Sequence, residues 1–392
     1  MLALRLARGA RPLVQLRRLL VAAASAGTGF LLLCTLGYAM GHPEASGGAA
    51  LRLAWCVAPI AATVYFAVTV ARTDPATRPR SGLSAVGLGP ARLRVLAAIS
   101  TAVACSLGSM AALLFFLHLR GDLTGLPLDG AAAELLAADA PLPLAAALTL
   151  LTLVPLSASA ASALVLRPSP AKPAAEREQD DPERPDAPAA APSGLPWGVS
   201  LLAAGLAVET YASRAGGAAG ESALAMPGGL TGGSWGVLAG WGITALGLAV
   251  AGPGLTYLCG RMLQSVRPGA MRLLAGRALQ EEARRIGRPL GVLCAVASGG
   301  YAALTLHSGS RPDIGPLTTL GSLLVVGCAV LTLATAAIEA KNARSDTTAA
   351  LLQLGAPVTM LRGSAALRAG ALAAVFGPLT WLVAELAALP LV

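Results

Sequence analysis

Long apolar runs separated by short polar segments are the feature that most restricts how this chain can fold. The runs are about 20 residues long without strict alternation, and about that length lets an α-helix cross the bilayer core. Because lipid offers no hydrogen-bond partners, a backbone that crosses it forms a helix or a closed barrel. The sequence therefore predicts an all-α, polytopic helical membrane protein of about nine transmembrane helices. The predicted spans are Leu19–Met40, Leu51–Ala71, Leu93–Leu117, Pro141–Leu166, Pro196–Ser213, Trp235–Cys259, Pro289–His307, Ile314–Glu339 and Ser364–Leu389.

Composition agrees with this fold class. The chain has 392 residues, of which 55% are hydrophobic and only 12% are charged. A soluble domain of this length needs more charge to cover its surface. The cysteines are widely spaced and form no Cys-x-x-Cys pair. Their spacing therefore indicates neither a zinc site nor a disulfide framework. The six cysteines, predicted to be small buried apolar residues, are Cys34, Cys56, Cys105, Cys259, Cys294 and Cys328.

The net charge of +9 is concentrated in alternate loops. Few aromatic residues accompany these arginines, so the basic charge favours membrane topology over nucleic-acid binding. Loops rich in arginine and lysine stay in the cytoplasm, which predicts a multi-pass protein of the cell membrane with a cytoplasmic N-terminus and, after nine spans, an external C-terminus. The basic segments are Met1–Arg18, Arg72–Arg92, Arg167–Ser193, Arg261–Arg288 and Lys341–Arg362.

A short segment between two apolar runs, Asp346–Arg362, is similar in sequence to a second segment far upstream, Gly82–Arg94. Gly355 and Pro357 interrupt an otherwise amphipathic helical pattern in the downstream copy. If the two segments are aligned so that Gly87 matches Gly355, further identical residues occupy matching positions. Leu83, Leu93 and Arg94 then fall on Leu351, Leu361 and Arg362. Arg5 and Arg17-Arg18 match Arg272 and Arg284-Arg285 at nearly the same offset.

These similarities divide the chain into two related halves. Residues 1–166 form a first repeat of four spans, and residues 261–392 form a second repeat of three spans whose last span is missing. Residues 196–260 add two bridging spans. Between the halves, residues 167–195 are rich in proline, alanine and charge, so they are predicted to be a disordered cytoplasmic linker.

The segment Leu351-Leu352-Gln353-Leu354-Gly355-Ala356-Pro357-Val358-Thr359-Met360-Leu361-Arg362 resembles the FtsX-like permease family of ABC transporters. The doubled layout is similar to the long, two-repeat members with about ten spans. The resemblance implies a coupling helix that docks on a separate ABC ATPase subunit, and an amphipathic cargo such as a peptide, lipid, lipoprotein or drug. It also implies a homodimer or heterodimer of permeases in contact with membrane lipids. The implied coupling residues are Leu83, Gly87, Leu93, Arg94, Leu351, Leu354, Gly355, Leu361 and Arg362.

No enzyme is expected from this sequence. Its two lysines, Lys172 and Lys341, are followed by proline and asparagine, so the Gly-x-x-x-x-Gly-Lys-Ser/Thr loop that binds nucleotide phosphates is excluded. Three widely separated histidines indicate no metal site, and no cofactor is expected. The scarcity of lysine beside abundant alanine, glycine and arginine is typical of a GC-rich bacterial genome.

Glu209 and Glu385 are acidic residues predicted to lie within spans, each toward the end of its span. Ionisable groups inside a membrane often mark proton or ion pathways, but these two can also reach the interface or pair with an arginine such as Arg214. They support the alternative function, an ATP-independent polytopic protein. In that case the chain is a secondary exporter, or a non-transporting scaffold that relays force to a partner.

Overall fold

A computed structural model describes residues 12–44, 46–74, 90–123, 130–167, 191–219, 224–226, 230–233, 235–265, 269–306 and 315–388. Nearly all of the described residues are helical. The helices are α1 (Pro12–Gly41), α2 (Ser46–Trp55), α3 (Val57–Thr73), α4 (Pro90–Arg120), α5 (Leu144–Val165), α6 (Gly194–Ala219), α7 (Trp235–Ser265), α8 (Ala270–Leu306), α9 (Pro316–Ala343), α10 (Ser345–Gln353) and α11 (Val358–Ala388).

A small hairpin interrupts the helical architecture. Strands β1 (Leu224–Met226) and β2 (Leu230–Gly233) pair antiparallel, with Met226 opposite Leu230. The sequence predicts a flexible glycine-rich loop over Arg214–Gly233, whereas α6 continues to Ala219 and the hairpin follows it. Two strands alone are marginally stable in water, so this hairpin is a local detail of a helical fold.

Seven helices in the described part of the chain are long and apolar enough to cross a membrane, judged by length and composition. They confirm a multi-pass helical architecture. Seven of the predicted spans lie on these helices, while Pro196–Ser213 and Pro289–His307 lie on α6 and α8, which are not among the seven, so the total of nine stays a prediction. The seven segments are Leu13–Gly41, Gly47–Thr73, Ala91–Arg120, Leu144–Val165, Gly236–Ser265, Pro316–Ala343 and Val358–Ala388.

The outer face of α4 shows the surface expected of a lipid-facing helix. Large apolar side chains, each more than half exposed, recur along it at helical spacing. A soluble protein rarely exposes so continuous an apolar patch. The side chains are Val95, Leu96, Ile99, Val103, Leu107, Met110, Leu114 and Phe115.

The chain forms two compact units, residues 1–182 with 314–328 and residues 183–313 with 329–392. The first part of α9 therefore belongs to the first unit, in which Leu324 packs against Gly27. This grouping differs in detail from the predicted repeats, and the boundaries predicted at residues 166 and 261 stay predictions.

In the first unit, α1 packs against α4 and α5 around a buried apolar cluster that includes Leu33, Phe116 and Leu151. Ser25 Oγ donates a hydrogen bond of 2.8 Å to the Cys105 carbonyl oxygen, joining α1 to α4. Phe30 lies beside Phe115 farther along both helices, with ring centroids 5.3 Å apart. Sequence numbers rise together at these contacts, so α1 and α4 run parallel.

The second unit is built on close helix contacts at glycines. A Cβ added at Gly240 of α7 would lie 2.9 Å from the Glu209 backbone nitrogen and from the Gly205 carbonyl oxygen of α6. Gly240 follows Gly236 at the Gly-x-x-x-Gly spacing, and it is at Gly240 that the two helices meet closely. Glycine lets the two backbones meet, as in membrane helix pairs.

All six cysteines are buried with free thiols, as the sequence predicts. Buried cysteine packs as a small apolar side chain.

Candidate functional site

The segment that resembles the coupling helix begins with α10 and ends in a sharp reversal at Gly355. Gly355 has a φ of +86°, in the left-handed region that glycine tolerates best. The Gly355 amide donates to the Leu352 carbonyl at 3.0 Å, and the Ala356 amide donates to the Leu351 carbonyl at 3.0 Å. These two bonds form a Schellman motif, and Pro357 then separates α10 from α11. The predicted helix break at Gly355 and Pro357 is confirmed.

The helix break at Gly355 leaves the apolar side chain of Leu354 exposed to solvent. Leu354 is 84% exposed, and its neighbours Leu352 and Val358 are also exposed. Leu351 and Leu361 are half-buried, while Arg362 is exposed. Of the predicted coupling leucines in this segment, Leu354 is therefore the one best placed to contact a partner.

A buried ion pair holds the base of this segment. Glu282 of α8 is only 7% exposed. Its Oε1 lies 2.7 Å from Nε of Arg344, the residue before α10, and its Oε2 lies 3.9 Å from Nη1 of Arg368 in α11. Burial raises the pKa of the Glu282 carboxyl to about 7, although Arg344 acts in the opposite direction. Arg368, which the sequence alone would let extend to the membrane surface, instead joins this cluster.

Sequence reasoning missed Glu282 as a site residue. It lies in the basic segment Arg261–Arg288, and nothing in its immediate sequence marks it as buried. The only available signal was a glutamate among arginines on one helix, Glu281 to Arg285.

The upstream copy of the segment is described only in part. Leu83 and Gly87 lie outside the described residues. Leu93 is 5% exposed and packs in the interior at the start of α4, so it is not placed to contact a partner. Arg94 is half-buried on the same turn. The part of this copy that the structure describes therefore offers no counterpart of the exposed Leu354.

Glu209 and Glu385 lie on different helices and have different partners. Glu209 is fully buried in α6 and accepts a hydrogen bond of 2.6 Å from the Trp241 indole N–H of α7. Its Oε2 is buried with no hydrogen-bond partner among the described residues. Glu385 is half-buried in α11 and accepts a bond of 3.1 Å from Tyr301 Oη of α8. The partner of Glu209 is thus an indole, not the arginine considered from the sequence.

These observations define the class of the molecule, a multi-pass helical membrane protein with an exposed helix–Gly–helix segment anchored by a buried ion pair. Comparison with known proteins does not assign a family. No family model matches the sequence, and no curated protein or solved structure shows significant similarity to it.

The conformation of Gly355 can be tested by replacing it with alanine. A left-handed φ costs about 1–2 kcal/mol for an L residue with a Cβ. We therefore expect Gly355→Ala to speed hydrogen exchange of the amides of residues 355 and 356 about tenfold. Gly370→Ala is the control, because Gly370 lies inside α11 with open space at its Cβ position. Equal exchange in both variants would contradict the strain argument.

Proposed function

We propose that this chain is the transmembrane permease subunit of an FtsX-like ABC transporter. It couples ATP hydrolysis by a separate ATPase subunit to the export or extraction of an amphipathic substrate. The single observation that carries the proposal is Leu354, an exposed leucine at the reversal of a short helix whose base is held by the Glu282 ion pair. A partner that covers this leucine gains free energy by removing its apolar surface from water.

The mechanical argument follows from the connections of this segment. Rigid α10 is joined to α9 before it and to α11 after it, and both are long enough to cross a membrane. A displacement of α10 by a partner therefore reaches two membrane helices without first passing through a flexible loop. Switching proteins commonly use such rigid-body movement of packed helices.

The proposed cargo class follows from the FtsX-like resemblance of the segment around Gly355. It is an amphipathic molecule, such as a peptide, lipid, lipoprotein or drug. In the proposed complex, the permease lies in a bacterial cell membrane with its N-terminus in the cytoplasm and acts as a homodimer or heterodimer.

Co-purification tests the central claim. The tagged chain, extracted in mild detergent, is expected to retain an ABC ATPase subunit encoded near its gene, and its presence should change the rate of ATP hydrolysis. Candidate ATPases that neither bind the chain nor respond to it would argue against the permease assignment.

The proposed orientation can be tested by cysteine labelling. Leu354→Cys should be cytoplasmic and Leu135→Cys external, and both parent leucines are more than three-quarters exposed. We expect a membrane-impermeant maleimide to label position 135 in intact cells and position 354 only after lysis. The buried native thiols keep the background low. Labelling of position 354 in intact cells would reverse the topology.

Glu209 favours a second candidate function, a secondary exporter driven by protons. A fully buried carboxyl with one oxygen lacking a hydrogen-bond partner among the described residues is a costly feature that a fold keeps for a reason. Transport that depends on a proton gradient and is lost in Glu209→Gln would support this candidate. Transport that depends on a bound ATPase and survives Glu209→Gln would support the permease.

A further inference from the structure

One carboxylate contacts both sides of the helix–Gly–helix segment. Arg344 immediately precedes α10, and Arg368 lies in the third turn of α11, so the two arginines flank the reversal at Gly355. Both reach Glu282 of α8, at 2.7 Å and 3.9 Å. The segment is thus attached at both flanks to a third helix that is not adjacent to it in sequence.

Further contacts join α8 to α11 along their length. A Cβ added at Gly363 would lie 2.9 Å from the Met271 side chain, so the two helices meet near their first turns. Farther along, Cys294 Sγ lies 3.9 Å from the Phe376 carbonyl oxygen, and Tyr301 bonds to Glu385. In these three contacts the residue numbers increase along both helices, so α8 and α11 run parallel. Because they touch along their length, we expect them to move together.

The first unit contains a comparable ion pair with the charges reversed. Arg18 Nη2 of α1 lies 2.6 Å from Oδ2 of Asp74, the residue after α3, and Arg17 Nη1 donates to Thr73 Oγ1 at 3.3 Å. Asp74 is buried, as Glu282 is. Asp74 ends the helix before the upstream copy just as Arg344 ends the helix before the downstream copy.

We propose that Glu282 is a positioning residue that fixes the helix–Gly–helix segment to α8, so that movement of the exposed Leu354 is transmitted to that helix. The inference rests on the proposed function for its role in transport, but the attachment itself can be measured without any ATPase. Glu282 acts through its contacts with Arg344 and Arg368.

The attachment is tested by a distance measurement in lipid nanodiscs. Spin labels are placed at Leu354→Cys and Arg277→Cys, two exposed positions on the segment and on α8. We expect a narrow distance distribution that broadens in Glu282→Gln. Glu281→Gln, the same change at the exposed neighbouring position, should leave it narrow. An unchanged distribution in Glu282→Gln would overturn the proposal.

Two arginine variants test the same attachment if Glu282→Gln does not fold. Arg344→Gln should broaden the distribution more than Arg368→Gln, because Arg344 is the closer partner. Equal and narrow distributions in both would overturn the proposal in the same way. Each variant is first checked for a single monodisperse peak.

A second measurement links the attachment to transport. With the ATPase bound, Glu282→Gln should keep its affinity for the ATPase within about twofold, while the change in ATP hydrolysis caused by cargo falls about fivefold or more, the range of a typical coupling factor. Loss of affinity and coupling together would indicate a merely structural role and overturn the proposal. If no ATPase binds but the distances still broaden, the proposed function fails while the positioning role of Glu282 stands.

Discussion

Replacement of Leu354 by aspartate is expected to abolish association with the proposed ATPase subunit. A partner that covers this 84% exposed leucine removes its apolar surface from water, whereas an aspartate there would bury a charge without a partner. We expect a loss of about 3 kcal/mol or more, which is at least about a hundredfold in affinity. The measurement is the dissociation constant of the purified complex in nanodiscs, together with retention of the ATPase during co-purification.

Leu135→Asp is the matched control for this experiment. Leu135 is a similarly exposed leucine, 76% exposed, in the turn region between α4 and α5, which is external in the predicted topology. It should leave the affinity unchanged. Leu361→Asp is a poorer test than the sequence suggests, because Leu361 is half-buried and its replacement also disturbs packing. Unchanged affinity in Leu354→Asp would remove the basis for the coupling assignment.

Gly240→Leu is expected to have the largest effect on stability. A Cβ at this position would lie 2.9 Å from backbone atoms of Glu209 and Gly205, and backbone cannot move aside as a flexible side chain can. Helices α6 and α7 must therefore separate, which also strains the bond between Trp241 and Glu209. Overpacking typically costs about 1–3 kcal/mol, and a clash with backbone lies at the upper end of that range. The loss should appear as a lower midpoint of thermal unfolding in detergent.

Gly242→Leu is the control, because Gly242 lies on the same helix with nothing within 4 Å of its Cβ position. It should change stability by less than about 0.5 kcal/mol. If both variants unfold at the same temperature, the close contact between α6 and α7 does not determine the stability of this pair.

The sequence predicts the membrane helices well because the signal is local. A run of apolar residues long enough to cross lipid is visible without knowledge of its neighbours. The bounds are less accurate where a helix continues into polar sequence. Helix α1 begins at Pro12, although the predicted span begins at Leu19, because the basic residues before the apolar run continue the same helix. The break at Gly355 is also local, since Gly and Pro restrict the backbone wherever they occur.

Contacts between distant residues could not be predicted in this way. Glu282 and Arg368 meet only because α8 and α11 pack side by side, and no spacing in the sequence encodes that arrangement. The same holds for Glu209 and Trp241. The burial of Leu93, which aligns with the half-buried Leu361, was likewise not visible in the sequence. Alignment of a repeat gives equivalent positions, but exposure at each position depends on the surrounding helices.

The reversed charges of the two ion pairs have a consequence for folding. If α1 met the end of α9, Arg18 would face Arg344; if α8 met the end of α3, Glu282 would face Asp74. Both incorrect pairings place like charges together, while both observed pairs neutralise them. Opposite polarity thus selects against the wrong partner helix during assembly.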